Sequence, residues 1–232
     1  MRSESSKYVI IISIMLKAAV TIFAIIGVII TTSGSRAFMG GGRAFMYFTI
    51  QSNIALATIC TTDVIFVYKK HKDLKPWFII RFMGVVSITL TGAVFCLFLA
   101  PTLGGHVWNT QNIITHIIVP LVAIADFLVT ETYCNKLTCA SLWGTVLPLA
   151  YTVYASIGYI NKWEFAAGTI FPYTFLNWGS PAGALGFSKS PPFLGCVWWI
   201  LILLLFILLI GRVYIQTLIS LRRHKAEKQN QK

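Results

Sequence analysis

Carboxylates are what this chain lacks most. Seven Asp and Glu in 232 residues are too few for a carboxylate-built metal cage or the paired acids of a glycosidase. Charged residues of both signs make up 11% of the chain, less than half of the roughly 25% usual in soluble domains. That shortage excludes an ordinary cytosolic globular fold and, outside the C-terminal end, a disordered chain. Cysteine is sparse as well: Cys60, Cys96 and Cys196 fall in apolar runs, while Cys134 and Cys139 share a connector with Glu131. No disulfide framework follows, and three candidate ligands do not close a tetrahedral zinc site, so neither a metal nor a cofactor is expected. Internal repeats are also missing, which leaves an inverted-repeat transporter without support.

What the chain has is apolar length. Hydrophobic residues make up 56%, and six stretches reach the ~20 helical residues needed to cross ~30 Å of hydrocarbon. They cover residues 8–32, 44–68, 77–100, 112–130, 142–160 and 194–214. The first is too long for the apolar core of a signal peptide and lacks a good cleavage site after it. The expected fold is therefore all-α: an integral membrane bundle of six transmembrane helices, with a single domain over residues 1–221 and a basic tail over 222–232. Of the 19 Lys and Arg, Lys17 and Arg81 lie well inside the stretches, Arg212 lies at the end of the sixth on the same side as the N-terminus, and only Arg36, Arg43, Lys162 and Lys189 lie on the side opposite the N-terminus. Such an asymmetry makes both termini cytoplasmic. The same asymmetry accounts for the basic excess without any nucleic acid partner.

Polar groups inside these stretches carry the functional information, because burying them is costly unless they are paired, wet or used. Arg81 and Asp126 sit at matching depth near the cytoplasmic side, and a structural ion pair between them is expected. Lys17 and Asp63 occupy the same half of their stretches. On the other side, Thr49, Ser52 and Asn53 fall at i, i+3 and i+4 on one helical face of the second stretch. The fourth stretch enters from that side with Asn109, Asn112 and His116 on one face. Pro120, which has no N–H, follows His116 by four residues, so a bend is expected there. A hydroxyl and an imidazole at related depth suit a nucleophile and its base. Between the fifth and sixth stretches, Phe171-Pro172-Tyr173-Thr174-Phe175-Leu176-Asn177-Trp178 is too apolar for an exposed loop and should fold back over the bundle mouth. Tyr151, Tyr154, Pro172, Tyr173, Phe175, Asn177 and Trp178 are the expected walls of a lipid-accessible cavity.

The combination of FTIQSN, THIIVPLVAIAD, YTVYASIGY and FPYTFLNW, in that order, resembles the bacterial branch of the androgen-induced, FAR-17a-like membrane protein family. Mammalian members of that family hydrolyse fatty acid esters of hydroxy fatty acids with an intramembrane threonine and a histidine. The resemblance covers residues 45–214 and implies six spans, with the threonine falling on Thr49 and the histidine on His116. One motif departs from the family pattern: Tyr173 and Thr174 stand between proline and Phe175-Leu176, where the mammalian members have direct adjacency. That departure touches the substrate pocket rather than the catalytic pair.

The expected activity is hydrolysis of a membrane lipid ester, with Thr49 attacking the carbonyl and His116 carrying the proton. Asp126 lies ten residues from His116, about 15 Å along a helix and too far to orient the ring. Asn112, one turn away, is the orienting candidate, and Ser52 and Asn53 are the candidates for stabilising the oxyanion. The alternative reading is a lipid-binding or small-molecule transport protein that uses the same polar cavity without catalysis.

Overall fold

Runs of Ile, Leu, Val and Phe become helices through most of the described residues. The computed structural model describes residues 4–34, 41–68, 75–102, 107–130 and 140–230; Glu131, Cys134 and Cys139 lie outside them. The helices are α1 (Glu4–Ser33), α2 (Phe48–Tyr68), α3 (Lys75–Val94), α4 (Thr110–Ile113), α5 (Val119–Thr130), α6 (Ala140–Trp143), α7 (Val146–Ile160) and α8 (Cys196–Asn230). A π-helical turn, Phe95–Leu99, continues α3, and a second, Ile114–Ile118, joins α4 to α5. Among the described residues there is no β-sheet, only isolated bridges between Ala166 and Thr169 and between Phe187 and Leu194.

Four helices among the described residues are long and apolar enough to cross a membrane: Tyr8–Ser33, Pro76–Thr102, Thr110–Thr130 and Cys196–Lys228. Six stretches were expected, and the two that differ do so for local reasons. The second begins late, because Gly41–Met46 form a 3-10 turn and α2 starts only at Phe48. Its first turns are then occupied by Thr49, Gln51, Ser52 and Asn53. The fifth breaks at Gly144 and Thr145, which leaves α7 with 15 residues, about 22 Å of helix. A Cβ on Gly144 would stand 2.9 Å from Val86 Cγ1, so the break lies where the chain presses on α3. The sixth runs on past residue 214 to Asn230, because the Gln, Leu, Arg, Lys, Ala and Glu that follow contain no breaker. Up to Asn230 the basic tail is thus the continuation of α8.

Position in the bundle follows burial. The apolar stretch of α3 is 61% buried, against 22% for α1 and 17% for α8, so α3 is the central post. One core packs Phe78, Phe82 and Val86 of α3 against Phe127 of α5 and Tyr214 and Leu218 of α8. A second joins Val20 and Ala24 of α1, Leu56 and Ala57 of α2, and Ala123 of α5. The connector 161–195 folds back over one end of the bundle. There Phe165 is fully buried, and its carbonyl accepts a 3.1 Å bond from the Tyr47 hydroxyl just ahead of α2. Phe175 and Leu176 are buried beside it.

Candidate active site

The polar face of α2 points into the region where α3, the Ile114–Ile118 turn and the connector converge. Its three residues meet three different neighbours. Thr49 is 7% exposed, and its side chain meets the Tyr173 phenol of the connector. Ser52 Oγ lies 2.8 Å from Thr91 Oγ1 on α3 and 3.1 Å from the Thr49 carbonyl. Asn53 Nδ2 donates to the Thr49 carbonyl at 2.7 Å and reaches the Thr115 carbonyl at 3.4 Å.

Proline chemistry explains the last contact. The Val119 N–H bonds to the Ile114 carbonyl in the π-helical turn, and Pro120 has no N–H to offer. The Thr115 carbonyl is thereby left without a helix donor, and Asn53 supplies one. Hence Ser52 and Asn53, expected as oxyanion donors, have their donors engaged elsewhere. The one orphaned atom of Asn53 is its carbonyl oxygen, an acceptor and so of the wrong polarity to stabilise an anion.

His116 sits in the middle of that π-helical turn, 7% exposed. Its ring stacks on Phe95, which opens the other π-helical turn, with centroids 3.9 Å apart and planes 9° from parallel. Nδ1 lies 3.3 Å from the Thr91 carbonyl. A carbonyl only accepts, so Nδ1 carries the hydrogen and Nε2 keeps the lone pair, as a general base requires. Gly92 makes this approach possible: a Cβ there would stand 2.7 Å from the His116 carbonyl and 3.2 Å from Pro120 Cγ. Asn112, the expected orienting residue, is occupied otherwise. Its side chain donates to the Val107 carbonyl at 2.7 Å, and its N–H is capped by Asn109 Oδ1 at 3.0 Å.

Thr49, Thr91 and His116 line one cavity together with Tyr151, Tyr173 and Phe175. The space is about 650 Å³ with its mouth included, and Leu149 of α7 and Leu203, Leu204 and Ile207 of α8 form its aliphatic side. Leu149 is also 39% exposed on the outer surface of α7, so the mouth faces what would be lipid. Four expected wall residues lie elsewhere. Tyr154 packs against Trp163 and Phe165, with ring centroids at 5.5 and 6.2 Å. The Trp178 indole donates to Ser156 Oγ at 3.2 Å, and Asn177 Oδ1 accepts the Gly179 N–H at 3.1 Å. Pro172 is buried without reaching the cavity wall. Burial of the connector's Tyr173 raises its phenol above the ordinary range, so it keeps its proton at neutral pH.

Away from the cavity, Arg81 and Asp126 do meet, at 3.8 Å, but neither is the other's first partner. Arg81 Nε is 3.0 Å from Asp63 Oδ2, and Lys17 Nζ is 2.6 Å from Asp126 Oδ1. Lys17 also stands 3.4 Å from Asp63, and both cations donate to Thr130 Oγ1. The Trp77 indole completes Asp63 with a 2.6 Å bond. Matching depth predicted an ion pair; among the described residues the structure holds a group of two cations and two carboxylates with hydroxyl and indole support.

Sequence reading missed Thr91, Gly92 and Phe95, although the adjacent polar and small residues of Thr91-Gly92 in the third stretch were a usable signal. It also missed the α8 wall, whose Leu and Ile are indistinguishable from lipid-facing neighbours. Compared with known protein families, with curated proteins and with solved structures, the chain matches none.

Proposed function

We propose that the protein is an intramembrane hydrolase of lipid esters, such as fatty acid esters of hydroxy fatty acids. One observation carries this reading: the Thr49 hydroxyl and the His116 imidazole, from different helices, line the same buried cavity, and the imidazole is anchored through Nδ1. The Thr49 oxygen bonds to the ester carbonyl carbon while its proton passes to His116 Nε2. The tetrahedral intermediate then expels the alkoxide, which takes that proton and leaves as an alcohol. Water repeats the sequence on the acyl-threonine and releases the fatty acid. The aliphatic side formed by α7 and α8 suits an acyl chain entering from the bilayer.

The resemblance to the androgen-induced family supports the same assignment. Completing the bundle takes six crossings, with α2 as the second and α6 and α7 together as the fifth. Both termini would then be cytoplasmic, in a bacterial cytoplasmic membrane, with Thr49 and His116 toward the outer side. The test is turnover of a fatty acid ester by purified protein, together with labelling by a fluorophosphonate. Thr49→Ala and His116→Ala should each fall to background, Thr49→Ser should keep part of the activity, and the probe should label Thr49. Full turnover by Thr49→Ala would eliminate the mechanism. An inert wild-type protein that copurifies with lipid would favour the lipid-binding alternative.

A further inference from the structure

The proposed reaction develops an oxyanion on the substrate carbonyl, and the cavity must present a donor to it. Most polar groups lining the cavity have already placed their protons. Thr91 Oγ1 donates to the Ser87 carbonyl at 3.1 Å, Tyr151 to the Met46 carbonyl at 3.1 Å and Thr152 to the Pro148 carbonyl at 2.9 Å. The Nδ1 hydrogen of His116 is directed to the Thr91 carbonyl. Thr49 and Tyr173 remain, and their side chains meet each other.

Tyr173 is also held where such a donor is useful. Its ring stacks on Phe175 with centroids 5.1 Å apart and planes 5° from parallel, and packs edge-on to Tyr47 at 5.9 Å. The phenol lies at the start of α2, beside the backbone of Phe48 and Thr49 and the side chain of Tyr151. It lines the cavity and keeps its hydrogen, so it can turn that hydrogen toward a bound carbonyl.

Resting on the hydrolase reading above, we propose that Tyr173 is the catalytic oxyanion donor of this site. As the Thr49 oxygen bonds to the carbonyl carbon, the π electron pair moves onto the carbonyl oxygen. That oxygen accepts the Tyr173 O–H, which until then faces the Thr49 hydroxyl. On collapse the pair returns, the bond to the leaving alkoxide breaks, and the phenol again faces the threonine. Tyr173 keeps its proton throughout.

The experiment uses the full-length protein in lipid nanodiscs with a p-nitrophenyl fatty acid ester, and compares wild type, Tyr173→Phe and Thr49→Ala. Tyr173→Phe should lower kcat about 100-fold, the size seen for loss of one such donor, with little change in KM. A long-chain trifluoromethyl ketone, which forms a tetrahedral adduct with the nucleophile, should lose affinity by a similar factor, while the matching alcohol binds as before. Wild-type kcat in Tyr173→Phe with an inactive Thr49→Ala overturns the role of Tyr173 and leaves the hydrolase standing. Wild-type turnover in Thr49→Ala overturns both. Should the phenylalanine variant fail to assemble, a fluorinated tyrosine at position 173 decides the matter: its more acidic phenol should move the basic limb of the kcat profile to lower pH, and an unmoved profile overturns the proposal.

Discussion

Lys17→Met is the sharpest probe of how this bundle is held together. Lys17 is 1% exposed and donates to Ser13 Oγ at 2.9 Å, Asp126 Oδ1 at 2.6 Å and Thr130 Oγ1 at 3.0 Å, with Asp63 at 3.4 Å. The formal charges of Lys17, Arg81, Asp63 and Asp126 cancel, so removing the ammonium leaves one carboxylate in excess in a low-dielectric interior. Arg81 compensates poorly, because its Nε is engaged by Asp63 at 3.0 Å and it stands 3.8 Å from Asp126. Breaking a buried pair of this kind costs about 3–5 kcal/mol, most of it from the stranded partner. The assay is reversible unfolding in mixed micelles, followed by tryptophan fluorescence. Lys17→Met/Asp126→Leu restores neutrality and should recover at least about 1 kcal/mol of the single variant's loss. In double-mutant cycles the coupling of Lys17 with Asp126 should exceed that of Arg81 with Asp126. A single variant within about 1 kcal/mol of wild type, the range of an exposed pair, would refute the reasoning.

Two further outcomes are expected. Gly92→Ala places a Cβ 2.7 Å from the His116 carbonyl, backbone that cannot swing aside. It should destabilise by about 1–3 kcal/mol and reduce ester turnover by displacing the ring; unchanged melting and turnover would contradict the packing described here. Alkaline phosphatase fused after Lys228 should be inactive, since the proposed orientation, read from the Lys and Arg asymmetry, puts that end in the cytoplasm. An active fusion would reverse the orientation.

Apolar length was the most legible property of the sequence, and it led to four helices of crossing length. It did not reveal the break at Gly144, because a glycine inside an apolar run reads the same whether or not another helix presses on it. Depth was legible too, and it brought Arg81, Asp126, Lys17 and Asp63 to one level. Depth says nothing about azimuth, and azimuth decided that Lys17 rather than Arg81 is the nearest cation to Asp126. The polar face of α2 followed from spacing alone. What its members do there depended on a deficit created on another helix, where Pro120 withholds the N–H that Asn53 replaces for Thr115. A tertiary debt of this kind is visible in sequence only when both helices are read together.

Among the described residues no carboxylate stands behind His116, and its surroundings supply the reason. In water-exposed hydrolases a buried acid orients the imidazole and stabilises its charged form. Here the partner is the Thr91 carbonyl, which fixes the same tautomer without bringing another ionised group into an apolar bundle, where unpaired charge is expensive. The carbonyl is a neutral acceptor, so it stabilises an imidazolium less than a carboxylate would, by about 1–2 kcal/mol from the difference between neutral and charged hydrogen bonds. That is roughly a tenfold lower rate for proton transfer, other things equal. Under the proposed hydrolase mechanism, a site with this weakness must place more of its catalysis at the carbonyl oxygen of the substrate. Loss of the Tyr173 phenol should therefore, under that mechanism, lower turnover by at least about 100-fold, the size of losing one such donor.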